Sequence, residues 1–289
     1  MAGGIHPSAI VDPDARIAAG VEVGAFTVIE GPTRIGRDNR IHQFASVGAD
    51  PQDKKFAGED TLLEIGDDCW IGPHVVIECH TTIGRENRFF QFCSIGAINQ
   101  DKKYKGEPTR VVIGDRNTFR ESCTVHIGTV QDKGVTTVGN DNWVMAYVHI
   151  AHDCVVGNNC TFANCVQLAG HVDVDDWAVL GGFTGVHQFC KVGAHVMTAV
   201  GSVVLQDIPT YVMAAGNSAT PFGINAEGLK RRGFTPEQVQ NVKRAYRTLY
   251  RAGLSLDEAK DKLREAAEAD PVVKPLFDFL ERSQRGIIR

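Results

Sequence analysis

The sequence predicts a mainly β protein, a hexapeptide-repeat parallel β-helix followed by a C-terminal α-helical domain, and three observations predict it. Apolar residues recur every six positions from Ile5 to Val204. Three short breaks interrupt the repeat, and after each one it resumes. Beyond Val204 the period of six gives way to helix-capping signals. Six matches neither the 3.6-residue period of a helix nor the two-residue period of a half-buried strand. It is the repeat of a solenoid in which three hexads close one triangular coil.

The first run is led by Ile5, Val11, Ile17, Val23, Ile29, Ile35, Ile41 and Val47. The second passes through Ile65, Ile71, Ile77, Ile83, Phe89, Ile95, Ile113, Phe119 and Val125. The third goes from Val138 through Ile150, Leu168, Val186 and Val192 to Val204, with Thr198 its one polar leader. The breaks fall at 53–64, 101–112 and 131–137, each after a hexad of one face, led by Val47, Ile95 and Val125. All three loops are therefore expected on one edge of the prism, where a rigid scaffold positions irregular segments for function. The solenoid is assigned to 1–215 and the helical domain to 216–289.

Composition agrees. A chain of 289 residues with 43% hydrophobic content can bury a core, here a long prism rather than a globule. No apolar run approaches the roughly 18 residues that span a bilayer, and no charged-then-apolar leader opens the chain. Of the eight cysteines, Cys69, Cys93, Cys123, Cys154, Cys160 and Cys190 each stand two residues before a hexad-leading position. That slot takes a small inward side chain, and free Cys packs as one. Packing is thus expected instead of disulfides or metal, and with it a reducing cytoplasm.

The loop-bearing face also carries a polar cluster. His152 is third in the hexad led by Ile150; Gly170 and His171 lie one coil on, and His187 and Gln188 one coil further. With coils stacked about 4.8 Å apart, these residues line one strip beside the loop edge, and His149 sits at the same corner. Each histidine taken alone reads as a solvated surface group; their alignment points to a site. An imidazole, titrating near 6.5 when unperturbed, suits general-base work at neutral pH, and the adjacent Asp153 can fix its tautomer. Gly170 lets a substrate approach a backbone N–H, as an oxyanion site requires. With the cysteines buried and no paired serine, direct transfer to a hydroxyl or amine is favoured over a covalent enzyme intermediate. On the loop at 101–112, Asp101 can accept sugar hydroxyls and Lys103 can meet an anion, although a solvated charged loop explains them equally well. An earlier copy of that loop, Gln52-Asp53-Lys54-Lys55, stands 48 residues upstream.

Thr235-Pro236-Glu237-Gln238 is a capping box with Pro at the first helical position, predicting a helix to about Ala252 with Gly253 as C-cap. Ser255-Leu256-Asp257-Glu258 caps a second helix to about Ala269, and a third follows Pro271. Residues 230–289 hold 14 Lys/Arg against 9 Asp/Glu, +5 locally in a chain of net charge −5, so residues 1–229 carry −10. A basic helical surface of this kind is either solvated or a docking face for an acidic carrier. Nucleic acid is not expected, since most of the chain is acidic and no stacking aromatics accompany the arginines.

His149-Ile150-Ala151-His152-Asp153-Cys154, Leu168-Ala169-Gly170-His171-Val172, Val186-His187-Gln188-Phe189-Cys190 and Asn225-Ala226-Glu227-Gly228-Leu229-Lys230-Arg231-Arg232-Gly233-Phe234 together resemble the UDP-N-acetylglucosamine acyltransferases, which take the first step of lipid A synthesis. The resemblance covers essentially the whole chain. It implies a left-handed coil, against the usual crossover rule, a homotrimer with sites between subunits, and no cofactor or metal. The donor it implies is a 3-hydroxyacyl chain on acyl carrier protein, an acidic partner suited to the basic tail. The acceptor is UDP-N-acetylglucosamine or its 3-amino analogue.

By the same resemblance, His152 deprotonates the acceptor and the Gly170 N–H stabilises the oxyanion. Asp101, Lys103, His171, Gln188, Asn225, Glu227, Arg231 and Arg232 would bind the UDP-sugar or acyl donor, the arginines nearest phosphate through forked hydrogen bonds. His149 and His187, on the same strip, are assigned to substrate binding with them. Family members carry one Gln-Asp-x-Lys loop where this chain has two; Asp101 and Lys103 of the second copy are assigned to the site, Asp53 and Lys55 to structure. Val200 stands where the acyl groove ends in the family, and its branched side chain is expected to shorten the preferred acyl chain. Hexapeptide helices also host zinc enzymes of the carbonic anhydrase type, for which His149, His152 and His171 would be the ligands; Arg231 and Arg232 would then have no role.

Overall fold

One inward apolar residue per hexad shapes the whole molecule. The computed structural model, which describes residues 4–53, 56, 58 and 61–289, winds the chain as a left-handed parallel β-helix. Lys55, with part of the first loop copy, lies outside the described residues. Short strands stack into three sheets of 10, 9 and 11 strands, parallel except for the last strand of the third; they begin at Ile10–Val11, Arg16–Ile17 and Glu22–Val23 and are visited in that order. The first edge joins the first sheet to the second, the second edge joins the second to the third, and the third edge completes the coil. Where coils are uninterrupted, residue i faces residue i+18, as His149 faces Gln167 and Ile150 faces Leu168. Many corners are turned by a residue in the left-handed region, among them Asp153, His171 and Phe189 on the first edge, at φ 58°, 64° and 65°.

The hexad leaders from Val23 to Val204 are buried, Thr198 included. Ile5, by contrast, is 50% exposed, because among the described residues none covers the first coil from outside. Cys69, Cys93, Cys123, Cys154, Cys160 and Cys190 are buried free thiols in the inward slot, and burial pushes Cys69 and Cys190 up to about 11. All three excursions leave the first sheet, after Ala49, Ala97 and His126, and rejoin the second at Leu63, Arg110 and Val135. They rejoin earlier than the breaks at 53–64, 101–112 and 131–137 suggest, because each hexad leader ends its strand: Arg110–Ile113 pairs with Val135–Val138 along its whole length.

Polar side chains also tie coils together. On the second edge Asn39, Asn87, Asn117 and Asn142 are buried in a ladder. Asn117 donates to Asn87 Oδ1 at 3.1 Å and to Gly139 O at 2.8 Å, and its own Oδ1 accepts from the Asn142 backbone N and Nδ2, both at 3.0 Å.

Beyond the solenoid, Val212–Ala215 extends the third sheet and Thr220–Ile224 returns antiparallel to it. Four helices follow: α1 (Ala226–Arg231), α2 (Pro236–Tyr250), α3 (Leu256–Ala269) and α4 (Lys274–Arg282). Both predicted capping boxes are formed, Thr235 with Gln238 and Ser255 with Glu258. Helix α2 ends at Tyr250 with Arg251 as cap, a little before the expected Ala252. Helix α1 was not expected; Asn225 caps it by accepting from Gly228 N. The helices close on their own core, built from Leu229, Val242, Leu249, Leu263, Phe279 and neighbours, while Tyr246 and Ile288 pack against the solenoid core.

Removing Asn117 leaves buried groups without partners on the coils above and below, and each such group costs about 1–3 kcal/mol. Asn117→Ala should therefore lower the unfolding midpoint by several degrees in thermal melts; an unchanged midpoint would show that apolar packing alone holds the coils.

Candidate active site

The first edge gathers the titratable groups because loop-bearing coils stack there on the coils that carry His152, His171 and Gln188. His152 follows the strand His149–Ile150, and its Nδ1 lies 3.0 Å from Asp153 Oδ2. Asp153 is fully buried. Its carboxylate accepts from Thr129 Oγ1 at 2.6 Å, from the Thr129 backbone N–H at 3.0 Å to both oxygens, and from Gly134 N at 3.0 Å. Burial alone would raise the Asp153 pKa; hydrogen bonds from His152 and Thr129 outweigh it and hold the carboxyl below its usual range. Donors on the excursion between His126 and Val135 thus help to hold this carboxylate in its charged form.

His171 stands over Asp153, its Nδ1 2.8 Å from Asp132 Oδ2 and 3.8 Å from Asp153 Oδ2. Its ring stacks on Phe189 at 4.2 Å and meets the His152 ring edge-on at 4.8 Å. Gly170 lies against His152 so closely that any Cβ would overlap the imidazole, so only glycine fits. Among the described residues the Gly170 N–H and the Nε2 atoms of His152 and His171 meet no protein partner. A cavity of about 550 Å³ opens here, walled in part by Asp101, Lys103, Asp132, His152, His171 and Gln188, with Phe189 and Thr129 beside them. Asp101 Oδ1 caps its own loop by accepting from Lys103 N at 2.9 Å.

Not every expected residue is in this group. His149 lies on the sheet, with Nδ1 2.7 Å from Thr124 Oγ1 and its ring edge-on to His126 at 4.9 Å. Burial and the His152 charge lower its pKa, and burial pushes His126 down to about 4. His187 is exposed beside Gln188, whose backbone N–H it accepts. Asp53 does not line the cavity, whereas Asp101 and Lys103 of the second loop copy do.

Asn225, Glu227, Arg231 and Arg232 belong to the second edge. Asn225 is buried and donates to His195 O at 3.0 Å; Arg232 lies over the Trp177 ring at 5.2 Å and beside His195 Nδ1 at 3.2 Å. Burial lowers the Arg232 pKa. Glu227 and Arg231 form an exposed pair at 3.2 Å. Val200, 74% exposed, turns the third edge. One chain therefore holds its expected site residues on three separate edges.

Sequence reasoning missed Thr129, Asp132 and Phe189. The third break was visible, yet nothing in residues 128–134 reveals a carboxylate partner 24 positions downstream. For metal binding, the described residues bring together His152, Asp153 and His171, with ligand atoms within 4.8 Å of one another; His149 is not in the group.

Residues 207–288 match the family described as UDP N-acetylglucosamine O-acyltransferase, domain 2, and residues 136–170 match the bacterial transferase hexapeptide family of six repeats. The chain is 54% identical to the acyl-(acyl-carrier-protein)–UDP-N-acetylglucosamine O-acyltransferase of Thiobacillus denitrificans, over 99% of both chains. It is 53% identical to that of a Janthinobacterium species, again over 99% of each. Among solved structures, the UDP-N-acetylglucosamine acyltransferase of Francisella novicida superposes with a TM-score of 0.81 at 42% identity, over 99% of this chain and 94% of that one. The Arabidopsis enzyme gives 0.87 at 34% identity, over 99% and 100%.

A carboxyl whose folded pKa is depressed stabilises the fold above its ordinary value, about 3.9, and loses that contribution as pH falls through the folded value. The gap in Tm between wild type and Asp153→Asn should accordingly be widest near neutrality and close below about pH 4. A gap independent of pH would contradict the charged assignment.

Proposed function

The chain belongs to the UDP-N-acetylglucosamine O-acyltransferases, and we propose that His152 is the general base of the transfer. The reaction moves an acyl chain from acyl carrier protein to UDP-N-acetylglucosamine, the first step of lipid A biosynthesis. The observation that carries the mechanistic reading is the His152–Asp153 pair: Nδ1 anchored at 3.0 Å on a buried carboxylate, Nε2 without a protein partner, at a cavity wall. A proton on Nδ1, donated to Asp153, leaves the Nε2 lone pair for the substrate.

His152 Nε2 takes the proton of the glucosamine 3-hydroxyl as its oxygen adds to the thioester carbonyl of a 3-hydroxyacyl chain. The Gly170 N–H receives the developing oxyanion. Collapse breaks the C–S bond, and the imidazolium returns the proton to the departing thiolate of the carrier. Asp153 stabilises that imidazolium while staying ionised. Asp101, Lys103, His171 and Gln188 hold substrate within the cavity, and His149 and His187 flank it. The relatives' names specify O-acyl transfer, which favours the hydroxyl over a 3-amino acceptor.

The separation of edges supports a homotrimer. Asn225, Glu227, Arg231 and Arg232 complete a site only when a second copy brings its second edge to the first edge of its neighbour, where Arg231 and Arg232 meet diphosphate. The +5 surplus of residues 230–289 suits an acidic carrier. Eight free cysteines support a cytoplasmic location, and no described helix is long and apolar enough to cross a membrane. The domain boundary is placed at 215/216, beyond the last strand added in parallel to the solenoid.

Co-expression of His152→Ala and Arg232→Ala chains tests the shared site. Each variant alone should be nearly inactive, and mixed oligomers should regain part of the activity, because some interfaces pair an intact His152 with an intact Arg232. Failure to recover in verified mixed oligomers would place the site within one chain. For chain length, Val200→Gly should move the preference toward longer acyl donors, since it opens the space of a branched side chain; an unchanged donor profile would refute that role.

A further inference from the structure

The first edge holds two histidine–carboxylate pairs, and the mechanism uses only one. His152 rests on Asp153 and His171 on Asp132, at 3.0 and 2.8 Å, each through Nδ1. The two rings are 4.8 Å apart and perpendicular, at 87°, and both line one cavity.

Asp132 is not a loose surface charge. It sits at the apex of a loop clamped on both sides. Before it, Thr129 is bound to the Asp153 carboxylate; after it, Gly134 N donates to the same group. Next to it, Lys133 Nζ donates to Asp173 Oδ1 at 2.8 Å and to the Asp153 backbone carbonyl at 3.0 Å. Lys191 Nζ holds the other Asp173 oxygen at 3.0 Å. Phe189, stacked 4° from parallel on His171, fixes the ring plane. A histidine restrained in this way, with a carboxylate on Nδ1, has its tautomer chosen for it: the proton lies on Nδ1 and Nε2 is a lone-pair acceptor.

We propose that Asp132 is a positioning residue that orients His171 to accept a hydrogen bond from the acceptor sugar, an O–H or N–H neighbouring the hydroxyl that His152 deprotonates. The inference rests on the acyl-transfer reading above. Two imidazoles presenting free Nε2 atoms side by side grip adjacent polar groups of one ring, so that binding and deprotonation use matching geometry. Asp132 reaches the sugar only through His171.

The test has a kinetic and a spectroscopic arm. Steady-state kinetics with UDP-N-acetylglucosamine varied should show KM raised by about tenfold in Asp132→Ala, the worth of one net hydrogen bond, with kcat changed far less. Asp132→Asn keeps an oxygen acceptor for the Nδ1–H and should recover most of the loss. ¹⁵N NMR of the imidazoles, which needs no substrate, should find His171 protonated at Nδ1 in wild type and in Asp132→Asn, and mixed in Asp132→Ala. An Nε2–H tautomer in wild type would overturn the proposal, and so would an unchanged KM in Asp132→Ala. Equal losses in Asp132→Ala and Asp132→Asn would overturn it too, since loop charge alone would explain them. Absence of transfer by wild type would instead sink the acyl-transfer reading, leaving the tautomer measurement to judge the orientation of His171.

Discussion

Every coil of this protein is closed by apolar side chains that meet along the axis of a narrow prism, and that packing leaves little freedom elsewhere. Ile29, Val47, Ile77, Ile95, Val125, Ile150 and Leu168 stack in one file of the core. Because Ile150, Leu168 and Val186 are held in register, the residues three positions further along, Asp153, His171 and Phe189, stack as well. Polar groups can be collected only along an edge, and a turn residue such as His171 reaches its neighbours on coils above and below, not across the sheet. The excursions follow the same logic: a loop inserted at a corner leaves the strands on either side in register.

Within that frame a single buried carboxylate organises the chemistry. A fully buried Asp153 would be costly if left alone. Thr129 and Gly134 offset the cost with two backbone N–H groups and a hydroxyl, and His152 supplies the remaining contact. The carboxylate thereby holds the loop to the turn and anchors Nδ1 of His152, the base of the proposed mechanism. Stability and reactivity share these atoms, so a change at Thr129 would be felt at His152 without touching it.

Much of this was legible in the sequence. The repeat gave the solenoid, the common edge of its breaks, and the alignment of His152, Gly170 and Gln188; the boxes at Thr235 and Ser255 gave two helix starts. What stayed hidden depends on contacts between distant positions with no periodic signature. The Thr129–Asp153 contact joins a loop to a turn, and helix α1 is too short to show a pattern. His149 and His187 sit in phase with the cluster, but His149 is tied to Thr124 on its strand and His187 is exposed at a turn, so neither lines the cavity wall. The distribution of Arg232 and His152 over different edges cannot be read from spacing alone, since it depends on where the chain turns after Val204.

In the proposed mechanism His152, backed by Asp153, removes a proton from a sugar hydroxyl as an acyl chain arrives from its carrier. The most direct measurement is acyl transfer from a panel of 3-hydroxyacyl carrier proteins to UDP-N-acetylglucosamine and to its 3-amino analogue, by wild type and by folded His152→Ala. Wild type should form the ester, with a definite optimum of chain length, and the variant should lose that activity by orders of magnitude. Transfer that survives the loss of His152, or no transfer to either sugar by the folded oligomer, would contradict that mechanism.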